Sequence, residues 1–438
     1  MLAFGDVLLT GLAADGGLYV PERWPRLPDG WDEERPYHEA ATAVMWPFVE
    51  GSVERDDLAR MSEQAYATFE HPEVCPVVEL GDLHLLELYW GPTLAFKDVA
   101  LQLVGRLFDH EVTRRGERAT IVVATSGDTG SAAIEACVGR DTLDIVVLHP
   151  AGRVSDVQRR LMTTVDEPNV HNVAIEGTFD DCQDLVKAMF ADTAFRERVR
   201  LSAMNSINWA RVMAQVVYYV TTTARLGRSS FTVPSGNFGN IFAGWVAEQM
   251  GLPIEQLVIA SNSNDILTRW VADGSMVAET VVPTLSPAMD IQVSSNHERL
   301  LFELSGRDGA RTAELLRRFR GVGSVEAPRS DRFQAARVDD ATTLATIRAV
   351  HDELGVLVDP HTAVGIAAAR QRRVGVDVPM VCVGTAHPAK FPDAVEQATG
   401  IRPALPGHLA DLAERPERFD VLPVSLEVVQ AHVESCIA

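Results

Sequence analysis

From about Thr93 the chain repeats one pattern: a short β-branched run, a loop rich in glycine, serine or asparagine, then apolar residues at helical spacing. Thr120–Ala124 runs into Thr125-Ser-Gly-Asp-Thr-Gly130, and Ser131–Val138 carries a helical period. Asp144–Leu148, Val170–Ile175, Leu257–Ala260 and Val378–Val383 read as further strands. Phe231–Pro234 enters Ser235-Gly-Asn-Phe-Gly-Asn240 ahead of a helix that ends near Gly251. Thr178 is placed to cap a helix with Phe179, Cys182, Leu185, Val186, Met189 and Phe190 on one face. Strands that are apolar on both faces and alternate with helices bury that surface in a parallel sheet covered on both sides. The fold class is therefore α/β. In such sheets ligands sit at the carboxyl ends of the strands, where all of these loops fall.

At 438 residues the chain exceeds the ~250–300 that one core supports, so two or three domains are expected. We divide it into an N-terminal subdomain at 1–85, α/β domains at 86–225 and 226–400, and a C-terminal tail at 401–438 that packs on the core. Residues 1–85 read as irregular, punctuated by Asp15-Gly-Gly and by Pro21–Asp29. Residues 305–345, charged and glycine-containing, read as a surface excursion. A net charge of -22 argues against a nucleic-acid partner, since affinity for phosphate backbones comes from clustered Lys and Arg. The five scattered cysteines form neither a disulfide framework nor a zinc pattern. The uncharged run between Arg211 and Arg225 is too short for a bilayer, the first basic residue is Arg23, and the expectation is a cytoplasmic protein with no membrane partner.

Gly91-Pro-Thr-Leu-Ala-Phe-Lys97 leads into an apolar period running to Phe108, with Pro92 compatible with a helix start. At 100° per residue Lys97 shares the stripe of Leu101, Val104 and Phe108, whereas Asp98, Gln102, Arg106 and Asp109 form a polar stripe. Lysine is almost never buried unpaired. Either Lys97 snorkels, or it is a desolvated amine of lowered pKa, as a Schiff-base enzyme requires.

The Gly236, Asn237, Phe238, Gly239, Asn240 loop joins backbone N–H groups to a helix N-terminus and suits a phosphate; a plain tight turn is the alternative. Thr125, Ser126, Gly127, Asp128 and Thr129 suit a carboxylate or an ordinary N-cap. In Asn205-Ser-Ile-Asn-Trp-Ala-Arg211, Asn208 and Arg211 share a helical face, where the arginine could clamp a phosphate or merely cap a surface helix. Thr385, at a strand end, is placed to meet a ring nitrogen. His387 reads as a backbone-satisfying residue and His361 as a helix-start residue. No GxGxxG or GxxxxGK[ST] follows a strand, and no paired-histidine spacing suggests a metal.

Taken together, these segments resemble the threonine synthases, in the longer-chain branch of fold-type-II pyridoxal-phosphate enzymes. The resemblance rests on Gly11–Pro21, GPTLAFKD at 91–98, TSGDTGSAA at 125–133, GTFDDCQDLVKAMF at 177–190 and NSINWARVMAQ at 205–215. It continues through SGNFGN at 235–240, Asn264–Leu267, Ser286–Asp290, DPHTAVG at 359–365 and GTAHPAKFP at 384–392. It implies two parallel-sheet domains with an N-terminal subdomain, Lys97 as the Schiff-base lysine, 236–240 as the cofactor-phosphate loop and Thr385 facing the pyridine nitrogen. Ser126–Thr129 would take the substrate carboxylate or border the cofactor's 3′-oxygen, and Asn205, Ser206, Asn208 and Arg211 the substrate phosphate.

The implied activity is a carbon–oxygen lyase of amino-acid biosynthesis, turning O-phospho-L-homoserine and water into L-threonine and phosphate, with Lys97 shuttling protons. By the same analogy the protein is a homodimer. Two positions depart from the family pattern: the chain starts after the usual Tyr-x-Ser-Thr-Arg-Gly segment, and Trp90 stands where His usually precedes GPT. They leave two alternatives open, a paralogue eliminating or replacing a group on another γ-substituted amino acid, and a non-catalytic cofactor-binding regulatory protein.

Overall fold

The computed structural model describes residues 2–13 and 15–437; Met1, Ala438 and Ala14 of the Gly11–Pro21 segment lie outside the described residues. Two large sheets carry the chain, beside a small antiparallel pair of Ser275–Val277 with Ser324–Glu326. The smaller of the two large sheets has five strands, all parallel, in the order Asp420–Leu422, Val170–Ile175, Leu143–Pro150, Ala119–Ala124, Leu201–Ser202. The larger has six, in the order Val77–Leu80, Leu83–Glu87, Met380–Gly384, Ser229–Pro234, Ile254–Ser261, Phe333–Arg337. Its first two strands form an antiparallel hairpin, and every other pairing is parallel. Leu143–Pro150, Ser229–Pro234 and Met380–Gly384 are buried at every position, as strands covered on both faces must be. Among the described residues no helix is long and apolar enough to cross a membrane.

Residues 1–85 are not irregular. They form helices Phe4–Thr10, Tyr37–Val49 and Arg55–Tyr66 before the hairpin. Tyr37–Val49 buries Tyr37, Ala40, Ala41, Val44, Met45 and Val49 despite Pro47 within it. It packs on Trp209–Leu226, a helix buried almost all round. The proline and the closely spaced polar residues on either side masked that pattern in the sequence. Of 305–345, the helix Gly309–Val322 is peripheral, burying only Thr312 and Phe319. The segment is nonetheless not all excursion, because Phe333–Arg337 closes one edge of the larger sheet. That strand is short and half polar, so its sequence gave little sign of pairing.

The sheets also group the chain differently from the sequence division. A boundary at 85 cuts the strand Leu83–Glu87, which pairs with Met380–Gly384. Residues 401–438 supply an edge strand to the smaller sheet, and the helix Leu426–Cys436 buries Val429 and Val433 against it.

The helices Lys97–Arg115 and Asp128–Cys137 cross closely. A Cβ at Gly105 would lie 2.1 Å from the Ala136 carbonyl oxygen, so only glycine permits the approach. The first residues of these two helices are Lys97 and Asp128, and the crossing fixes one against the other. The Lys97 helix starts five residues after Pro92. Before it, Leu94 turns at φ 61, and the Asp98 carboxylate accepts from Thr93 N (2.8 Å) and Thr93 Oγ1 (2.7 Å). Asp98 and Gln102 are buried, so the polar stripe of this helix is not a solvent face.

Candidate active site

The helices beginning at Lys97, Asp128, Trp209, Gly239 and Pro360 present their N-termini or first turns around one cavity of about 1310 Å³. Lys97, Asp128, Thr129, Asn205, Ser206, Arg211, the 236–240 loop and Thr385 all line it.

Lys97 Nζ lies 3.2 Å from Asp128 Oδ2, with the two side chains 11% and 8% exposed. Asp128 has a second cationic partner: Lys390, with none of its side chain exposed, places Nζ 3.0 Å from Asp128 Oδ1. Gln158 Nε2 donates to the same oxygen at 2.8 Å. Burial alone would raise the Asp128 carboxyl, but Lys390, Lys97 and Gln158 outweigh it and hold it far below the usual carboxylate range. The Lys97 amine is pushed below the ordinary lysine value, first by burial and then by Lys390 and Arg211, against the pull of Asp128. The amine at the cavity wall therefore gives up its proton more readily than an ordinary lysine.

In the 236–240 loop Phe238 sits at φ 63, and a Cβ at Gly236 would come within 3.0 Å of Ala288 O and Met289 Cα. The Gly236 and Asn237 carbonyls accept from Ser294 Oγ at 2.7 Å and from Asn296 at 3.1 Å, which fixes the direction of their peptide groups. Asn240 Oδ1 accepts from the hydroxyls of Tyr218 (2.7 Å) and Tyr219 (2.8 Å), leaving its buried Nδ2 without a partner among the described residues. Thr385 Oγ1 is likewise buried and unpartnered, while its backbone carbonyl accepts from Phe96 N at 2.9 Å and so ties it to the Lys97 turn.

Arg211 is 3% exposed, and its Nε and Nη1 have no partner among the described residues. Burial pushes its guanidinium down to about 10. Buried cations are paired in folded proteins, so an unpaired one on a cavity wall marks where an anionic ligand belongs.

Four expected site residues are not brought to the cavity. Asn208 caps the helix Trp209–Leu226, its Oδ1 accepting from Ala210 N and its Nδ2 donating to the Leu8 carbonyl, so both its polar ends are spent. Thr125 Oγ1 accepts from the N–H groups of Gly127 and Gly130, both at 2.9 Å, and shapes the loop from within. Ser126 is exposed, and Gly127, buried against Gln158, lies beside it without lining the cavity. Asp128 does line the cavity, but an anion set between two lysines repels a carboxylate; it is the counter-charge of Lys97 instead.

His361 stands in the first turn of the helix Pro360–Arg372, and His387 satisfies a backbone N–H, each as read. His361 Nδ1 lies 2.9 Å from Asp359 Oδ1, and His387 Nδ1 accepts from Ala389 N. Trp90 does not line the cavity; its Nε1 donates to Glu87 at 2.8 Å and its ring packs between His71 and His387. The residues the sequence reading missed are Lys390, Gln158 and the cavity-lining face of His361. A signal for Lys390 was available: the chain has only three lysines, at 97, 187 and 390, against thirty-six arginines.

The amine, the glycine loop and the unpartnered hydroxyl place this fold among the enzymes that work with pyridoxal phosphate, and residues 79–385 match the family described as pyridoxal-phosphate dependent enzyme. On either side, residues 1–66 match the threonine synthase N terminus and residues 362–433 the threonine synthase C-terminal family. The chain is 55% identical to the threonine synthase of Pseudomonas aeruginosa, over 99% of this chain and 95% of that protein. It is 42% identical to that of Corynebacterium glutamicum, over 99% and 96%. The crystal structure of pyridoxal-phosphate-bound threonine synthase from Brucella melitensis superposes with a TM-score of 0.96 at 50% identity, covering 99% of this chain and 97% of that one. The chain belongs to the threonine synthase family.

Proposed function

We propose that this chain converts O-phospho-L-homoserine and water to L-threonine and inorganic phosphate, using pyridoxal phosphate. One observation carries the choice of substrate. The cavity holds two separate places for an anion, the glycine loop at 236–240 and the unpaired Arg211 guanidinium. The cofactor's phosphate fills one, and a substrate phosphate fills the other.

The residues fit the cofactor. Gly236 lets the loop pack against the backbone of Ala288 and Met289, which a Cβ would crowd, and the Thr385 hydroxyl is buried and unpartnered where a ring nitrogen can be met by a neutral group. When bound, pyridoxal phosphate supplies an electron sink for negative charge developing on the substrate carbons. The loop N–H groups and the N-terminus of the helix Gly239–Gln249 hold its phosphate. Lys97 Nζ would hold its aldehyde, and as a free amine would carry protons to and from the substrate's Cα, Cβ and Cγ. Arg211, with Asn205 and Ser206 beside it, grips the phosphate that leaves from Cγ. Thr129, at the start of the helix Asp128–Cys137, serves the substrate carboxylate.

An enzyme eliminating a neutral γ-substituent would have no use for a second buried cation, and a non-catalytic binder would have no use for a lysine whose proton is loosened. The family membership over the full chain favours neither alternative. Incubation of the cofactor-loaded protein with O-phospho-L-homoserine should release threonine and phosphate in equal amounts. Release of a 2-oxo acid, or no turnover beside activity on another amino acid, would overturn the reading.

A further inference from the structure

Two of the chain's three lysines share one carboxylate. Lys97 takes Asp128 Oδ2 at 3.2 Å, Lys390 takes Oδ1 at 3.0 Å, and Lys390 Nζ also donates to the Thr93 carbonyl at 2.6 Å. Lys390 does not line the cavity, so it has no direct access to a ligand there. Its place in the arrangement is a matter of charge balance. Were Lys97 the only partner of Asp128, the loss of one proton from Nζ would leave a bare anion in a site 8% exposed. Lys97 would then hold its proton tightly. With Lys390 present, the same loss leaves a balanced Asp128–Lys390 pair.

We propose that Lys390 is a positioning residue for Lys97: it stays paired with Asp128 and so keeps that carboxylate balanced whenever the Lys97 amine is neutral. The inference rests on Lys97 being the reactive amine. Asp128, Lys390 and Arg211 face Lys97; Lys97, Lys390, Gln158 and His361 face Asp128. Asp98 lies near Lys390, its carboxylate held by the N–H and hydroxyl of Thr93. Lys97 Nζ has one acceptor and opens on the cavity, whereas Lys390 Nζ is enclosed by two. The proton is therefore released at position 97.

Lysine-specific labelling tests this without any turnover. The full chain, stripped of cofactor, is treated with trace acetic anhydride across a pH series, and labelling at each lysine is read by mass spectrometry. Lys187, its side chain 71% exposed, is the internal reference. In Lys390→Met and Lys390→Gln, each checked for folding by circular dichroism, the labelling midpoint of Lys97 should rise by about 1 pH unit or more. That shift leaves about tenfold less neutral amine at a given lower pH, and the acid limb of the holoenzyme's kcat profile should move up with it. Lys390→Arg, which keeps the charge, should hold the midpoint near the parent value. An unmoved midpoint in either folded neutral variant, or an equal rise in Lys390→Arg, would overturn the proposal. A failed threonine assay with the midpoint still dependent on Lys390 would sink the reaction assigned above and leave this inference standing.

Discussion

Replacing Lys97 with alanine is expected to lower kcat for threonine formation by at least about 10⁴-fold, because the change removes both the cofactor anchor and the proton carrier. Neither of the other lysines is set to stand in: Lys390 does not line the cavity, and Lys187, although among the residues lining it, has a side chain 71% exposed and paired with Asp184 at 2.9 Å. The same variant should fold with little loss of stability. The Asp128 carboxylate keeps Lys390 and Gln158, so no buried charge is stranded. Phosphate release by the purified variant, set beside its urea midpoint, measures both halves. Residual activity within tenfold of the parent would remove Lys97 from its central place.

Asp128→Ala should behave in the opposite way, with a loss of stability of about 3–5 kcal/mol, the range found when one partner of a buried ion pair is removed. Lys390 has no exposed side-chain surface and would be left with only the Thr93 carbonyl. Lys97 would lose at the same time its one hydrogen-bonding partner among the described residues. Denaturant unfolding of the full chain at neutral pH measures the loss. A cost under about 1 kcal/mol would show that the Asp128 pairs are not the buried, unscreened interactions described above. The contrast between the two variants matters more than either number. Both remove one member of the same salt bridge, yet only Asp128→Ala strands a buried charge.

Much of this was legible in the sequence because it is local. Val170–Ile175 is a strand over the expected residues, its valines and isoleucine standing between turn signals on either side. Thr178 caps its helix as read, its Oγ1 accepting from Asp181 N; the structure adds that the Asp181 carboxylate accepts from Thr178 N in return, closing a capping box. Lys97 stood out as a cation on an apolar stripe, and the loops stood out as glycine between strand and helix.

The remainder depended on contacts distant in sequence. Asn208 was read as a ligand because asparagine is equally suited to a ligand and to an N-cap, and only the Leu8 carbonyl decides between them. Thr125 and Asp128 are three residues apart in one motif; the first is spent on its own loop and the second on two lysines. Lys390 sits in a segment whose threonine drew the attention, and nothing nearby in sequence announces that its charge is buried against Asp128. The N-terminal helices were missed because they bury their residues against Trp209–Leu226, a partner that the local pattern does not contain.

The central claim is that the Lys97 amine holds the cofactor's aldehyde. Borohydride reduction of the protein with pyridoxal phosphate bound, followed by peptide mapping, tests it directly, and with three lysines in the chain the result is unambiguous. One pyridoxyl group per chain, on Lys97, is expected. A group on Lys187 or Lys390, or none at all, would contradict it.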